Sequence, residues 1–138
     1  HLNKYCKNRK FKFYLANNFK LAWKLNLDGA YIPAFNKSLK HKLYPIKRGF
    51  LIIGSSHNVT EMRYKIKQGC KKIFLSPIFR ISKKKNYLGI FNFRNLVSKT
   101  NIEIIALGGI NKFNIKKLKI SGCSGFASIS HIKKTAQK

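Results

Sequence analysis

Six short runs of apolar, β-branched and aromatic residues recur along this chain, at Phe11–Leu15, Gly29–Ile32, Phe50–Ile53, Lys72–Leu75, Ile102–Leu107 and Gly125–Ile129. Their starts lie 18, 21, 22, 30 and 23 residues apart, the length that one strand and one helix occupy together. Between them, Phe19–Leu27, Asn58–Gln68, Phe91–Lys99 and Asn111–Ile120 carry helical spacing. Val59, Met62, Ile66 and Tyr64 supply the apolar stripe of the second helix, and Ile115, Leu118 and Ile120 that of the fourth. The segment Ser38–Lys47 contains Pro45 and is at best a weak helix.

Alternation of this kind predicts a parallel sheet. Three junctions repeat one plan: Asn26–Ile32, Gln68–Leu75 and Ser121–Ala127 each close a helix near a glycine and enter an apolar strand within a few residues. Two architectures satisfy it, an open doubly wound sheet and a (β/α)₈ barrel of the TIM type. No G-x-G-x-x-G follows a strand, so the dinucleotide-binding version lacks its fingerprint.

A length of 138 residues suits a single domain over 1–138, and 44% hydrophobic residues rule out global disorder. No run approaches the ~20 continuous apolar residues of a membrane span, and the segment from His1 to Lys7 has no apolar signal region. Cys6, Cys70 and Cys123 are odd in number and lack C-x-x-C spacing. The expectation is a cytoplasmic protein without a disulfide framework or a cysteine zinc site.

Thirty Lys and Arg against three acids, Asp28, Glu61 and Glu103, give a formal net charge of +27. Such a balance ordinarily points to nucleic acid. Yet Lys, Asn and Ile together make up 55 residues, the footprint of AT-rich codon usage, and the lysines are scattered. The densest run is only Lys83-Lys84-Lys85. Salt-sensitive adhesion to polyanions is therefore expected, and a dedicated nucleic-acid function is the least favoured class.

In either parallel architecture the site lies at the C-terminal ends of the strands. Those ends read Asn17-Asn18, Pro33-Ala34-Phe35-Asn36, Gly54-Ser55-Ser56-His57, Ser76-Pro77-Ile78-Phe79-Arg80, Gly108-Gly109-Ile110-Asn111 and Ser130-His131. Gly108-Gly109 entering a helix offers bare backbone N–H groups to a phosphate, with the Ser130 end on the other side. Asn58 and Glu61 have the spacing of a capping box, and Ser56 is an alternative cap. His41 and His131 are expected on the surface; Trp23 and the eleven Phe are expected in the core.

Taken together these segments resemble the thiamine phosphate synthase/TenI family of (β/α)₈ barrels, from about Phe13 to Ile132. Lys12–Asn18 resembles the family's third strand, ending in Asn-Asp, and Leu27–Ile32 resembles A-D-G-V-H-L. Gly54-Ser55-Ser56-His57 with Glu61 is similar to S-x-H-x-x-x-E, Ser76–Phe79 to G-P-I-F, and Lys84 to the lysine of T-x-T-K. Ile105–Asn111 resembles A-I-G-G-I, and Gly125–Ser130 resembles G-V-A-V-V-S. About six of the eight βα units are represented, the family's third to eighth, with the chain starting where that third strand does.

The resemblance implies that a hydroxymethylpyrimidine diphosphate loses pyrophosphate and that a thiazole phosphate captures the pyrimidine cation through its ring nitrogen. It makes Gly108, Gly109, Ser130 and Asn17 substrate or phosphate binders, Ser55 a substrate contact and Lys84 a partner of the departing pyrophosphate. In TenI-type relatives, which are thiazole tautomerases, the histidine matching His57 shuttles protons, a task suited to imidazole because both of its protonation states are accessible near neutrality. The resemblance also implies Mg²⁺, held by aspartates after the family's third and fourth strands. Asn18 and Asn36 stand there in this chain, which counts against a strong magnesium site. Tautomerase and non-catalytic phosphate-ligand binding are the alternatives to the synthase.

Overall fold

A computed structural model describes residues 1–82 and 85–128. Helix α1 (Leu2–Asn8) leads into β1 (Tyr14–Ala16), α2 (Phe19–Lys24), β2 (Gly29–Ile32), β3 (Leu51–Ser56), α3 (Val59–Lys67), β4 (Lys72–Leu75), α4 (Gly89–Val97), β5 (Glu103–Leu107) and β6 (Gly125–Ala127). Two 3₁₀ turns, Lys40–Leu43 and Ile115–Ile120, follow β2 and β5. The six strands form one sheet in the order β1-β2-β3-β4-β5-β6, every pair parallel. A doubly wound sheet reverses its strand order at a switch point; a (β/α) barrel adds each strand beside the last. The sequential order decides for the TIM-barrel type.

Side-chain alternation gives the sheet two unequal faces. Ala30 and Ile32 on β2, Ile73 and Leu75 on β4, and Ile104 and Ala106 on β5 are buried. They form one core with Ala22, Met62, Phe93 and Leu118 of the flanking helices and turns. Tyr31, Phe74 and Ile105 occupy the alternate positions and are only half-buried. Tyr31 and Phe74 meet edge to face, with ring centroids 6.1 Å apart, across this inner face.

The helices start where side chains can satisfy their first N–H groups. Asn18 Oδ1 accepts from Leu21 N at 3.1 Å to open α2, and Asn58 Oδ1 accepts from Glu61 N at 2.9 Å to open α3. Glu61 reaches back, as in a capping box, but to the N–H of His57 at 2.7 Å instead of that of the cap residue. Ser56 is no cap: β3 runs on through Ser55 and Ser56, and Ser56 faces the helices without exposed surface.

Several expectations are corrected. Helix α1 was not anticipated. The segment Asn111–Ile120 is helical only from Ile115, as a 3₁₀ turn, although Asn111 Oδ1 accepts from Phe113 N and Asn114 N as a helix cap would. His41 is buried, its ring against Phe19 at a centroid distance of 5.4 Å. Phe35, Phe91 and Phe113 are exposed. On α3 the buried side chains are Met62 and Lys65, while Tyr64 and Ile66 face solvent. The tail from Ile129 onward, with Ser130 and His131, and Lys84 lie outside the described residues.

Candidate functional site

All strands being parallel, their C-terminal ends line one rim of the sheet. Asn17, Asn36, Ser55, His57, Gly108 and Gly109 all stand on it. They fall into three neighbouring corners.

At the corner after β1 and β2, Asn17 adopts φ +56°, a left-handed conformation that Asn tolerates better than most residues. This turn brings its Oδ1 within 2.6 Å of Asn36 Nδ2, the donor. Asn36 Oδ1 in turn accepts from Ser38 N at 2.9 Å. A cleft of about 250 Å³ opens here, lined in part by Asn17, Asn18, Lys20, Asn36, Lys40 and His41.

At the next corner, Ser55 and His57 follow in succession. Ser55 pairs in register with Phe74, which places it on the inner face, and it is buried. His57 is partly exposed. Its Nδ1 lies 3.0 Å from Glu61 Oε2, the oxygen that also accepts the His57 N–H. This double contact fixes the ring and turns Nε2 away from the carboxylate. His57 borders a cleft of about 300 Å³ with Pro77, Asn86, Tyr87 and Leu88.

At the third corner the ends of β4 and β5 enclose a cleft of about 820 Å³, lined in part by Ser76, Arg80, Ser82, Gly108, Gly109 and Ser128. Gly108 and Gly109 have φ +96° and +70°, backbone that L side chains rarely adopt. A Cβ on Gly109 would lie 2.7 Å from the carbonyl oxygens of Phe79 and Arg80. The loop after β4 is held against this backbone: Ile78 N donates to Leu107 O and Phe79 N to Gly108 O. Asn114, which the sequence did not single out, completes the turn: its Nδ2 donates to Gly109 O at 2.8 Å, and its Oδ1 accepts from Asn111 N at 2.8 Å. Pro77 borders the His57 cleft and lies beneath Gly108, so these two corners share a wall.

A model of the family described as thiamine monophosphate synthase matches residues 1–132. The chain belongs to that family. The thiamine-phosphate synthase of Prochlorococcus marinus (strain MED4) is 32% identical over 131 residues, covering 94% of this chain and 37% of that protein. The putative thiamine-phosphate synthase 2 of Aquifex aeolicus is 32% identical over 128 residues, covering 88% of this chain and 67% of that protein. Among solved structures, the thiamine phosphate pyrophosphorylase from Pyrococcus furiosus superposes with a TM-score of 0.74 at 20% identity, over 93% of this chain and 61% of its own. The chain thus spans little more than a third of the Prochlorococcus relative. The family match begins at His1, so α1 belongs to it as well.

Family membership brings the magnesium question to Asn18 and Asn36. Magnesium is held by oxygen ligands, usually one or two carboxylates among them. Both positions offer neutral amides, and both side-chain oxygens already accept hydrogen bonds, from Leu21 N and Ser38 N. Among the described residues no cluster of three His, Cys, Asp or Glu side chains forms. The residues present do not fit the ion.

Proposed function

We propose that this chain acts in thiamine biosynthesis as a thiamine phosphate synthase-type transferase, holding a phosphorylated thiazole at the strand C-termini. The observation that carries this reading is the third corner. A cleft of about 820 Å³ has two adjacent left-handed glycines on one wall, Arg80 and three serines on the others, and no acidic residue in its lining. Backbone without Cβ lets a phosphate approach N–H groups closely, and a guanidinium binds phosphate oxygens in bidentate fashion. Ser130 and Lys84 are assigned to the same phosphate and to the leaving pyrophosphate by family resemblance.

In the coupling, the C–O bond between the pyrimidine methylene and the diphosphate breaks and the electron pair leaves with pyrophosphate. The thiazole ring nitrogen then donates its lone pair to the methylene carbon, forming the new C–N bond. The inner face serves this step by holding the two rings together and by excluding water from the cation. Ser55 and the half-buried Tyr31 and Phe74 provide that surface.

The test is formation of thiamine phosphate from the two phosphorylated precursors by the purified chain. Turnover that falls at least about tenfold in Arg80→Ala supports the reading, the size expected for losing one charge-assisted hydrogen bond. A folded chain with no turnover and no affinity for the thiazole phosphate overturns it.

One observation favours a second reading, thiazole tautomerisation. A carboxylate-anchored imidazole bordering a cleft is the arrangement of a proton shuttle. On that reading His57→Ala lowers isomerisation about 10²–10⁴-fold, and Glu61→Gln lowers it less.

A further inference from the structure

Helix α3 buries a lysine. Lys65 has no exposed surface. Its stem lies against the backbone of Gly54, where a Cβ would fall 2.8 Å from Lys65 Cδ. Its Nζ donates to the carbonyl of Asn36 at 2.7 Å and to Gln68 Oε1 at 2.8 Å. Gln68, equally buried, donates through Nε2 to Asn36 O and Ser38 O, each at 2.9 Å. The carbonyl of Gln68 accepts from His41 Nε2 at 2.7 Å. Asn36, Ser38 and His41 all line the cleft after β1 and β2, so Lys65 and Gln68 stand directly behind that lining.

Both acceptors of this ammonium, Asn36 O and Gln68 Oε1, are neutral carbonyl oxygens, and the three acids are engaged elsewhere. Asp28 accepts from Lys12 and Phe13, Glu103 pairs with Lys72, and Glu61 holds His57. Burial pushes the Lys65 ammonium below its ordinary range, with Cys70 and Glu61 opposing that shift. A buried cation with only neutral partners keeps an uncompensated field, felt more strongly in the low-dielectric interior than in water. Asn36, which accepts from Lys65, lines the cleft together with Asn18, Lys20 and Lys40, and neither asparagine suits magnesium.

We propose that the corner after β1 and β2 is a metal-free polyanion site, in which the Lys65 ammonium beneath Asn36, aided by Lys20 and Lys40, supplies the positive charge that a divalent cation would bring to a diphosphate. The inference rests on reading the mouth as a site for phosphorylated ligands, and it assigns this corner the diphosphate end of the ligand pair. Lys65 is a positioning residue as well, since it anchors the Asn36 carbonyl and thereby the Asn36–Asn17 pair.

The test is calorimetric titration of inorganic pyrophosphate into the full chain at fixed ionic strength, in EDTA and in saturating Mg²⁺. The expected result is an affinity in EDTA within about threefold of that in Mg²⁺. Lys65→Met weakens binding about tenfold in EDTA, whereas Lys117→Met, which removes an exposed charge on the 3₁₀ turn after β5, changes it less than about twofold. Asn18→Asp/Asn36→Asp installs carboxylates, so binding drops in EDTA and recovers with Mg²⁺. This arm decides the matter should Lys65→Met fail to fold. Pyrophosphate bound by wild type only in Mg²⁺, or equal effects of the two lysine substitutions, overturns the inference and leaves the thiazole-phosphate reading standing. No binding in either condition removes the inference together with the diphosphate half of that reading.

Discussion

At the N-terminal ends of the strands, two of the three acids are each paired with a lysine. Asp28, just before β2, accepts from Lys12 Nζ at 3.0 Å and from Phe13 N at 2.9 Å, and Glu103, at the start of β5, lies 2.7 Å from Lys72 Nζ. At the C-terminal ends the only acid among the described residues is Glu61, committed to His57. Lys20, Lys40, Arg80 and the buried Lys65 stand there instead. A chain with a net charge of +27 thus spends two of its three carboxylates on the end that holds the strands together. The other end keeps a surplus of positive charge. The two ends therefore differ in where the acids stand, two against one, and the anionic-ligand reading draws on the end that holds fewer.

The comparison breaks most sharply at Gly109. An alanine there meets the Phe79 and Arg80 carbonyls and must hold φ +70°. Gly109→Ala is expected to cost about 2–4 kcal/mol in denaturant unfolding and to abolish phosphate-ligand affinity. A loss confined to stability would assign the glycine pair to packing alone.

The paired end is sharpened by Asp28→Asn, with an expected loss of about 1–2 kcal/mol at neutral pH and no change in ligand affinity. Burial would raise the Asp28 carboxyl, but the Phe13 N–H and the Lys12 ammonium outweigh it and hold it below the ordinary range. A carboxyl lowered in the folded state binds fewer protons there than in the unfolded chain. Its stabilisation is therefore complete above the ordinary carboxylate pKa of about 3.9 and fades as pH falls through the lower folded value. The difference between wild type and Asp28→Asn should vanish in strong acid.

The smallest effect concerns Cys70, buried beneath Gly54, whose thiol burial pushes up to about 11. Thiol reagents at mildly alkaline pH should modify the partly exposed Cys6 and Cys123 and spare Cys70 until the chain unfolds. Modification of all three at one rate would show that α3 does not stay closed over β3.

The fold was legible because each βα unit repeats the same periodicity, and the spacing of Gly29, Lys72 and Gly125 exposes it without knowledge of any contact. The rim was legible where backbone chemistry governs it, at Gly108-Gly109, and where a cap doubles as site geometry, at Asn58 and Glu61. Lys65 was not. A lysine on an amphipathic helix counts as solvent-facing, and only the empty space at Gly54 and the acceptors supplied by Asn36 and Gln68 reverse that. His41 was hidden for the same reason, since its partner is a main-chain carbonyl 27 positions away. Asn111–Ile120 illustrates the opposite failure: helical spacing was present, but only Ile115–Ile120 winds, and as a 3₁₀ turn.

The central claim is that a phosphorylated ligand is held at the C-terminal rim. Calorimetric titration of the thiazole phosphate into wild type, Arg80→Ala and Asp28→Asn tests it most directly. The account predicts binding by wild type, about a tenfold loss in Arg80→Ala, and no loss in Asp28→Asn at the opposite end. Equal losses in the two variants, or no binding by a folded wild type, would contradict it.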